Sequence, residues 1–345
     1  MSMAGLQLAP KSSYNYGEIR YNSAKRDVLM KLVIQISCLN EAATLPAVLE
    51  SIPKKIAGID EITVLVIDDG CTDDTVAVAK KYGVHEFVYH ASNKGLAAGF
   101  RDGIHRALEL GADIIVHTDG DNQYPQKRIG DLVQPILDGK ADMVIADRRV
   151  QTIAHFSPAK KLFQAMGTKV LNAAAGTHVP DAPSGFRAYS RDAAMRLNVV
   201  TRFSYAMETI IQAGNKRFAI VSIPIETNPK TRESRLFKSS WEHMRKSGVA
   251  IGRAYMMYKP YVIFVTLGVV LLVLGIIPFA RWLYFLHFDR AHGLRHVQSL
   301  LAGCVLLIAS FISFTLGVVA DLIRINRILI EETLEHAKHT RFDKN

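Results

Sequence analysis

The 345-residue sequence predicts an α/β domain with a mostly parallel sheet, followed by two helices that cross a membrane. Between residues 31 and 150, short runs rich in β-branched residues alternate with segments of helical periodicity, which is the order of right-handed βαβ units. Nearer the C-terminus, no charged residue occurs from Pro260 to Ala280 or from Val297 to Ala320. Each of these runs is close to the roughly 20 apolar residues that a spanning helix needs.

The α/β part is expected to contain alternating strands and helices up to residue 150. In order, the predicted strand and helix segments are KLVIQIS and EAATLPAVLESI, ITVLVID and DDTVAVAKKYG, HEFVYH and KGLAAGFRDGIHRALELG, ADIIVHT and QKRIGDLVQPILDG, and the strand ADMVIAD. The regular alternation then ends, and a helix, a loop and a strand are predicted for KKLFQAMGTKVLNAAAG, THVPDAPSGFRAYS and FAIVSIPIE.

The composition divides the chain into successive parts. The N-terminus is polar and lacks the apolar core of a signal peptide. The segment before the first apolar run mixes basic residues with Trp241 and Tyr255, which is typical of helices at a membrane surface. The predicted parts are a flexible arm (1–30), an α/β domain (31–232), juxtamembrane amphipathic helices (233–259), two transmembrane helices with a short linker (260–323) and a basic tail (324–345).

The distribution of charge predicts an orientation in the membrane. The chain has 42 Lys and Arg against 32 Asp and Glu, a formal charge of +10 that favours anionic partners. Lys and Arg are more frequent before the first span and after the second than in the linker, so both termini and the α/β domain are expected in the cytoplasm. No basic helix or aromatic-interleaved stripe indicates nucleic-acid binding, and a membrane accounts for the charge.

Acidic and amide side chains follow the ends of the predicted strands. Asn40-Glu41 comes after the first strand, Asp68-Asp69 closes the second, and the segment HTDGDNQYP with Asp119 and Asp121 closes the fourth. In parallel sheets, ligands bind outside the carboxyl ends of the strands, so these groups are expected together. Side chains two positions apart on an extended backbone point the same way, so Asp119 and Asp121 can present carboxylates to one divalent cation and a bound diphosphate.

Five segments carry a resemblance to a known family: SCLNEAATL, VIDDGCTDDT, HTDGDNQYP, MVIADRR and DAPSGFRAYSRD. In this order they resemble the motifs of family 2 glycosyltransferases. With two C-terminal spans, the chain is similar to the polyprenyl-phosphate glycosyltransferases, which include dolichol-phosphate mannose synthases and their bacterial relatives. The resemblance implies a glycosyltransferase A-type nucleotide-binding domain and inverting transfer of one sugar from a UDP- or GDP-sugar to a polyprenyl phosphate. It also implies Mg²⁺ or Mn²⁺ as cofactor and a homo-oligomer, with a tetramer among the expected forms.

The resemblance also implies roles for individual residues. Asp69 matches a carboxylate that accepts from the nucleotide base, and Asp119 and Asp121 match the metal and diphosphate motif. Asp121 and Arg148 are the implied catalytic residues, with Arg148 facing the phosphates. The implied nucleotide-binding residues are Leu39, Asn40, Glu41, Asp68, Asp69, Asp119 and Gly120. Those implied on the diphosphate and acceptor side are Gln123, Lys160, Ser184, Arg232 and Arg235.

The chain departs from the family pattern in two places. Lys160-Lys161 stands where some relatives have an arginine for the lipid phosphate. The segment TRESR, residues 231–235, stands where many relatives have GESK, so Arg232 replaces the glycine and Arg235 the lysine. The choice of sugar donor therefore does not follow from the resemblance.

Two alternative functions stay open at this point. A processive polysaccharide synthase would share the catalytic domain, but the Arg281-Trp282 pair lies at the end of a span and lacks the glutamine of the QxxRW motif. A membrane-anchored binding protein with an inactive transferase domain would not need the intact Asp119 and Asp121. Within the site, Asp181 is interpreted as a loop-capping residue rather than a general base, and His117 as a side chain at the strand end rather than a ligand.

Overall fold

The computed structural model describes residues 29–150, 158–200, 205–229, 259–288 and 297–342, together with a few isolated positions between 248 and 256. Most of the predicted N-terminal arm, most of the predicted juxtamembrane helices, Arg232 and Arg235 lie outside the described residues.

The strands form a seven-stranded sheet in the order β3-β2-β1-β4-β6-β5-β7. The neighbouring strands are parallel except that β6 runs antiparallel to both β4 and β5. The predicted α/β class with a mostly parallel sheet is thereby confirmed. The strands are β1 (Lys31–Cys38), β2 (Glu61–Asp68), β3 (Glu86–Tyr89), β4 (Ile114–Asp119), β5 (Met143–Asp147), β6 (Arg187–Ser190) and β7 (Ile220–Pro224).

Helices cover both faces of the sheet, which explains why the central strands are nearly continuous apolar runs. On β1, Val33 packs into one core cluster, while Leu32 and Ile34 pack into the cluster on the opposite face. The helices are α1 (Leu45–Ser51), α2 (Thr75–Lys81), α3 (Leu96–Glu109), α4 (Ile129–Leu137), α5 (Pro158–Ala175), α6 (Arg191–Arg196), α7 (Tyr205–Asn215), α8 (Pro260–Phe288) and α9 (Val297–Phe342).

The sheet topology fixes where a ligand can bind. Strands β2 and β3 lie on one side of β1, and β4 lies on the other, so the direction of winding reverses between β1 and β4. In open α/β sheets, ligands bind in the crevice outside the carboxyl ends of the strands at such a reversal. Because β6 is antiparallel, its N-terminal end reaches this same edge.

Helices α8 and α9 are each long and apolar enough to cross a membrane. They pack along each other through small residues. A Cβ atom added at Gly268 would lie 2.8 Å from the ring of Phe314, and the Ser310 hydroxyl donates to the Gly268 carbonyl oxygen at 2.8 Å. Small residues and hydroxyl bonds of this kind are typical of helices that associate within a bilayer.

Helix α9 continues past the predicted span, and its C-terminal end packs against the α/β domain. The segment that the sequence separates as a basic tail forms the last turns of α9, up to Phe342. The Phe342 side chain is buried in the core cluster beside α3 and α6. The Lys338 ammonium group donates to the Leu197 carbonyl oxygen at 2.8 Å and to Asn198 Oδ1 at 2.6 Å. These contacts fix the α/β domain to the second long helix.

Replacing Phe342 with Ala tests this attachment. We expect a loss of about 3 kcal/mol in the free energy of unfolding, because truncating a buried Phe removes its packing and leaves a cavity. Denaturant unfolding in detergent measures the change. The control is Leu334→Ala on the same helix, where the side chain is 44% exposed. Equal, small effects of both variants would contradict a docked C-terminus.

Candidate active site

The loop after β1 connects the ends of β1, β2 and β4. Asn40 has a positive φ of 57° and its Oδ1 accepts from the Thr72 backbone N–H at 2.7 Å. Glu41 is buried, and its backbone N–H donates to the Thr75 hydroxyl at 2.8 Å. The Thr44 hydroxyl lies 2.9 Å from Glu41 Oε2 and 2.8 Å from the Gly120 carbonyl oxygen. The structure therefore places Asn40 and Glu41, which follow Leu39 in this loop, at the predicted edge of the sheet.

The carboxylates at the end of β2 hold the surrounding loops. Asp68 Oδ1 accepts from the Cys71 N–H at 2.7 Å. Asp69 is buried, and its carboxylate accepts from His90 Nδ1 at 2.7 Å and from the backbone N–H groups of Lys94 at 2.9 Å and Gly95 at 3.0 Å. Each carboxylate oxygen has about two acceptor positions, so the described residues use only one of the two on the Oδ2 atom, which binds the Gly95 N–H.

The loop after β4 departs from the extended geometry assumed from the sequence. Strand β4 ends at Asp119, Gly120 and Asp121 form a turn, and Asn122 has a φ of 59°. Asp121 Oδ1 accepts from the Gln123 backbone N–H at 3.0 Å, and this bond orients the carboxylate. A Cβ atom at Gly120 would lie 2.9 Å from Cys38 Sγ, so the loop can only approach β1 with glycine there. The extended backbone that the sequence predicts for both acidic residues is therefore present at Asp119 but not at Asp121.

Asn228, which follows the edge strand β7, also holds this loop. Its backbone N–H donates to the Gln123 carbonyl oxygen at 3.0 Å, and its side-chain amide donates to the Asn122 carbonyl oxygen at the same distance. Sequence reasoning missed Asn228, since it is more than 100 positions from the loop it contacts. Its position after the predicted strand FAIVSIPIE was the available signal.

The segment Ser184–Phe186 lies directly against Asp119. The Gly185 N–H donates to the Tyr124 hydroxyl at 2.9 Å, and the Tyr205 hydroxyl donates to the Gly185 carbonyl oxygen at 3.3 Å. A Cβ atom at Gly185 would lie 3.2 Å from Asp119 Oδ2. The predicted acceptor-side segment and the acidic loop are therefore in contact. Ser184 itself is buried, and its hydroxyl has no hydrogen-bond partner among the described residues.

A buried arginine is hydrogen bonded to the backbone around this segment. The Arg187 guanidinium is fully buried at the start of β6. It donates to the carbonyl oxygens of Ala182 and Ser184, both at 2.7 Å, and to the Ala206 carbonyl oxygen at 2.9 Å. Buried polar groups are costly unless they are hydrogen bonded, and these bonds fix the curvature of the Ser184–Phe186 segment.

Arg148 and Asp181 form an ion pair in which the Asp181 carboxylate is buried and the Arg148 guanidinium is mostly buried. Arg148 Nε donates to Asp181 Oδ2 at 2.7 Å, Nη2 donates to Oδ1 at 2.9 Å, and the Arg148 backbone N–H also donates to Oδ2 at 3.1 Å. Burial opposes the charge of the guanidinium, but Tyr124 and Asp181 outweigh this effect and raise the pKa of Arg148 above its ordinary value. Arg148 therefore lies at the carboxyl end of β5 as predicted, and Asp181 holds it there.

His117 lies inside β4 rather than at its end, because the strand runs on to Asp119. Its ring is fully buried and meets Phe100 and Tyr205 edge-on. Burial, together with the nearby charge of Arg187, lowers the pKa of His117 to about 3. The imidazole is therefore neutral at physiological pH.

The residues at this edge fit a divalent cation that takes part of its coordination from a substrate. Among the described residues, no group of three His, Cys, Asp or Glu side chains forms a ready-made metal cage. The donors offered by the loop after β4 are the carboxylates of Asp119 and Asp121, which are oxygen ligands. Mg²⁺ and Mn²⁺ prefer oxygen and are commonly held by one or two carboxylates plus substrate phosphates. In addition, the buried His117 Nε2 lies 3.8 Å from Asp119 Oδ1 and has no hydrogen-bond partner in the described part of the chain.

The side chains of three further predicted site residues lie outside the described part of the chain. Lys160 lies in the first turn of α5, but its side chain is outside the described residues, as are Arg232 and Arg235. Sequence reasoning also missed His90, whose ring bridges Asp69 and Asp102. A histidine at the carboxyl end of β3 was the signal that could have found it.

The ion pair of Arg148 and Asp181 gives a stability prediction. Asp181→Ala should cost about 3–5 kcal/mol of unfolding free energy, because it leaves a buried guanidinium without its carboxylate. The control is Asp131→Ala, which removes the partner of Arg128 at the surface and should cost less than about 1 kcal/mol. Chemical unfolding of both variants measures the difference. A loss for Asp181→Ala no larger than for the control would show that Arg148 does not need this partner.

Comparison with known proteins agrees with the motifs. Residues 33–197 match the family described as Glycosyl transferase family 2. The chain is 30% identical over 206 residues to an uncharacterized glycosyltransferase of Mycobacterium tuberculosis, a match covering 58% of this chain and 86% of that protein. It is 27% identical over 186 residues to UDP-N-acetylglucosamine–dolichyl-phosphate N-acetylglucosaminyltransferase of Methanococcus voltae, covering 48% of this chain and 74% of that protein.

A further relative is longer than the matched region. The chain is 29% identical over 230 residues to the low-salt glycan biosynthesis hexosyltransferase Agl6 of Haloferax volcanii. That match covers 65% of this chain and spans 54%, about half, of the length of Agl6. From the matched family region and the relative covered over most of its length, the chain belongs to glycosyltransferase family 2.

Proposed function

We propose that the protein is a membrane-bound glycosyltransferase that moves one sugar, with inversion, from a UDP- or GDP-sugar to a polyprenyl phosphate. The product would be a lipid-linked sugar that serves as a donor in glycan assembly. The observation that carries this proposal is the contact between the Asp119–Asp121 loop and the Ser184–Phe186 segment, in a chain with two long apolar helices. The Methanococcus voltae relative, named for transfer to dolichyl phosphate, supports the choice of acceptor.

The donor nucleotide is assigned to the loops at the ends of β1, β2 and β4. In this proposal Leu39, Asn40 and Glu41 line the base and ribose. The remaining acceptor position on Asp69 faces the base, and Asp68 shapes the loop through its bond to Cys71. Gly120 lets the phosphates approach the backbone, since a side chain there would meet Cys38 and Glu41.

The diphosphate leaves with extra negative charge, and the site must stabilise that charge. Asp119 and Asp121 would hold Mg²⁺ or Mn²⁺, which when bound supplies Lewis-acid stabilisation of the leaving diphosphate. Arg148 offers a fixed positive charge next to this position. A guanidinium has about five N–H donors, and Arg148 uses two of them to bind the Asp181 carboxylate. The other N–H groups can donate to phosphate oxygens.

The acceptor phosphate needs no general base. A phosphate monoester has a second pKa of about 6 and is largely ionised at neutral pH, so its oxygen can attack the anomeric carbon directly. Attack opposite to the leaving diphosphate inverts the configuration. This assignment agrees with the environment of Asp181, whose two oxygens accept from Arg148 and which is therefore not placed as a base. Lys160, Arg232, Arg235, Gln123 and Ser184 are assigned to the acceptor phosphate and the diphosphate.

The membrane-spanning arrangement follows from the same proposal. Residues 31–232 form the catalytic domain, and the spans within 260–323 hold it near the lipid headgroups on the cytoplasmic side. The C-terminal contacts of Lys338 and Phe342 then keep the site at a constant distance from the second span. The homo-oligomer expected from the family stays a prediction.

A donor panel tests the function. The purified protein, reconstituted with a polyprenyl phosphate and Mg²⁺ or Mn²⁺, is incubated with labelled UDP- and GDP-sugars in turn. We expect label to enter the lipid phase with at least one donor. Label in a water-soluble polymer would indicate a polysaccharide synthase instead, and no turnover of any donor would contradict an active transferase.

Replacing Asp121 with Ala tests the metal assignment. We expect at least a roughly 100-fold loss of transfer, since a bound cation contributes several kcal/mol to leaving-group stabilisation. Folding should be largely retained, because Asp121 lies in a surface turn. The matched control is Asp138→Ala, another acidic residue beside a glycine, whose carboxylate is bonded to Lys140 and Gln134 at the surface. Transfer by Asp121→Ala at the rate of this control would contradict the assignment.

A further inference from the structure

A row of polar residues crosses the buried centre of the sheet. His117 on β4 is in register with Gln35 on β1 and with Arg187 on β6. All three side chains are fully buried. Apolar side chains fill the neighbouring positions, such as Val33 and Ile115, and a buried polar row is costly unless its groups are bonded. Each polar group in the row therefore needs a hydrogen-bond partner to offset the cost of its burial.

The bond between Gln35 and His117 defines the tautomer of the imidazole. Gln35 Nε2 lies 3.1 Å from His117 Nδ1. An amide nitrogen only donates, so Nδ1 accepts, and the proton of the neutral ring resides on Nε2. This Nε2–H group has no hydrogen-bond partner among the described residues.

The carboxylate of Asp119 lies close to this N–H group. His117 Nε2 lies 3.8 Å from Asp119 Oδ1. This gap is about 1 Å longer than an N–H···O hydrogen bond, which a small rotation of the side chain can close. The other oxygen, Oδ2, lies on the side of Gly185, where an added Cβ atom would be 3.2 Å away. The two oxygens of Asp119 therefore have different surroundings.

We propose that His117 is a positioning residue for Asp119: its Nε2–H donates to Oδ1 in the donor-bound enzyme and leaves Oδ2 to bind the divalent cation. The inference rests on the proposed function for the identity of the cation. An N–H without an acceptor in the interior costs about 1–3 kcal/mol, and the bond to Asp119 removes that cost when the site is assembled. Groups that hold a ligating carboxylate from behind typically change metal affinity about 10- to 100-fold when they are removed.

The test compares Mn²⁺ binding by the full-length protein in detergent, followed by electron paramagnetic resonance. His117→Phe keeps a ring between Phe100 and Tyr205 but removes Nε2–H, and Mn²⁺ should bind about 10- to 100-fold more weakly. His117→Gln retains an N–H donor and should recover most of the affinity. The control is Tyr189→Phe, which removes a polar atom from the same cluster around Phe100 without touching Asp119. Its affinity for Mn²⁺ should equal that of the wild type.

A second readout is independent of the metal and of activity. ¹⁵N spectra of histidine-labelled protein distinguish the two tautomers, and a signal for protonated Nε2 with unprotonated Nδ1 is expected for His117. The opposite tautomer, or equal Mn²⁺ affinity of wild type and His117→Phe, would overturn the inference alone. Wild-type protein that binds no Mn²⁺ would overturn the proposed metal site as well, so the two failures are distinguishable. If His117→Phe does not fold, His117→Gln and the tautomer decide the outcome.

Discussion

Strand β6 enters the sheet antiparallel between β4 and β5, and the arrangement of the site depends on this reversal. A parallel β6 would bring the Ser184–Phe186 segment to the opposite edge, away from Asp119. The reversed strand instead places this segment between the acidic loop and Arg148. Arg187, the first residue of β6, stabilises the reversal by donating hydrogen bonds to the carbonyl oxygens of Ala182 and Ser184. Sheet topology and one buried guanidinium thus position both halves of the site.

The charges at this edge are compensated in two ways. Asp69 accepts hydrogen bonds from His90 and from two backbone N–H groups, and Asp181 is paired with Arg148. These carboxylates have protein partners that fix their orientation. Asp119 and Asp121 lie on the loop that faces the reversal point between β1 and β4, where the proposed cation and diphosphate bind. In the proposed function, a divalent cation compensates the negative charge of this second pair of carboxylates.

Much of the fold could be predicted because it depends on local periodicity. Short runs rich in β-branched residues, alternating with segments of helical periodicity, identified β1, β2 and β4, and charge-free length identified α8 and α9. The rule that parallel strands end at one edge also placed the loops after β1 and β4 side by side, where the Thr44 hydroxyl joins Glu41 to Gly120. The turn at Asp121 could not be predicted, since the extended backbone ends at Asp119 and a hydrogen bond from the Gln123 N–H then orients the Asp121 carboxylate.

Other features depend on residues far apart in the sequence, where no periodicity connects them. The pairing of Arg148 with Asp181, the insertion of the short strand β6 and the docking of Phe342 on α6 follow from tertiary packing.

The most direct test of the metal site is an anomalous difference map, recorded at the manganese absorption edge from crystals grown with Mn²⁺ and a nucleoside diphosphate. A peak bounded by the carboxylates of Asp119 and Asp121 and by the diphosphate is expected. A bound diphosphate with the two carboxylates turned apart and no peak between them would contradict it.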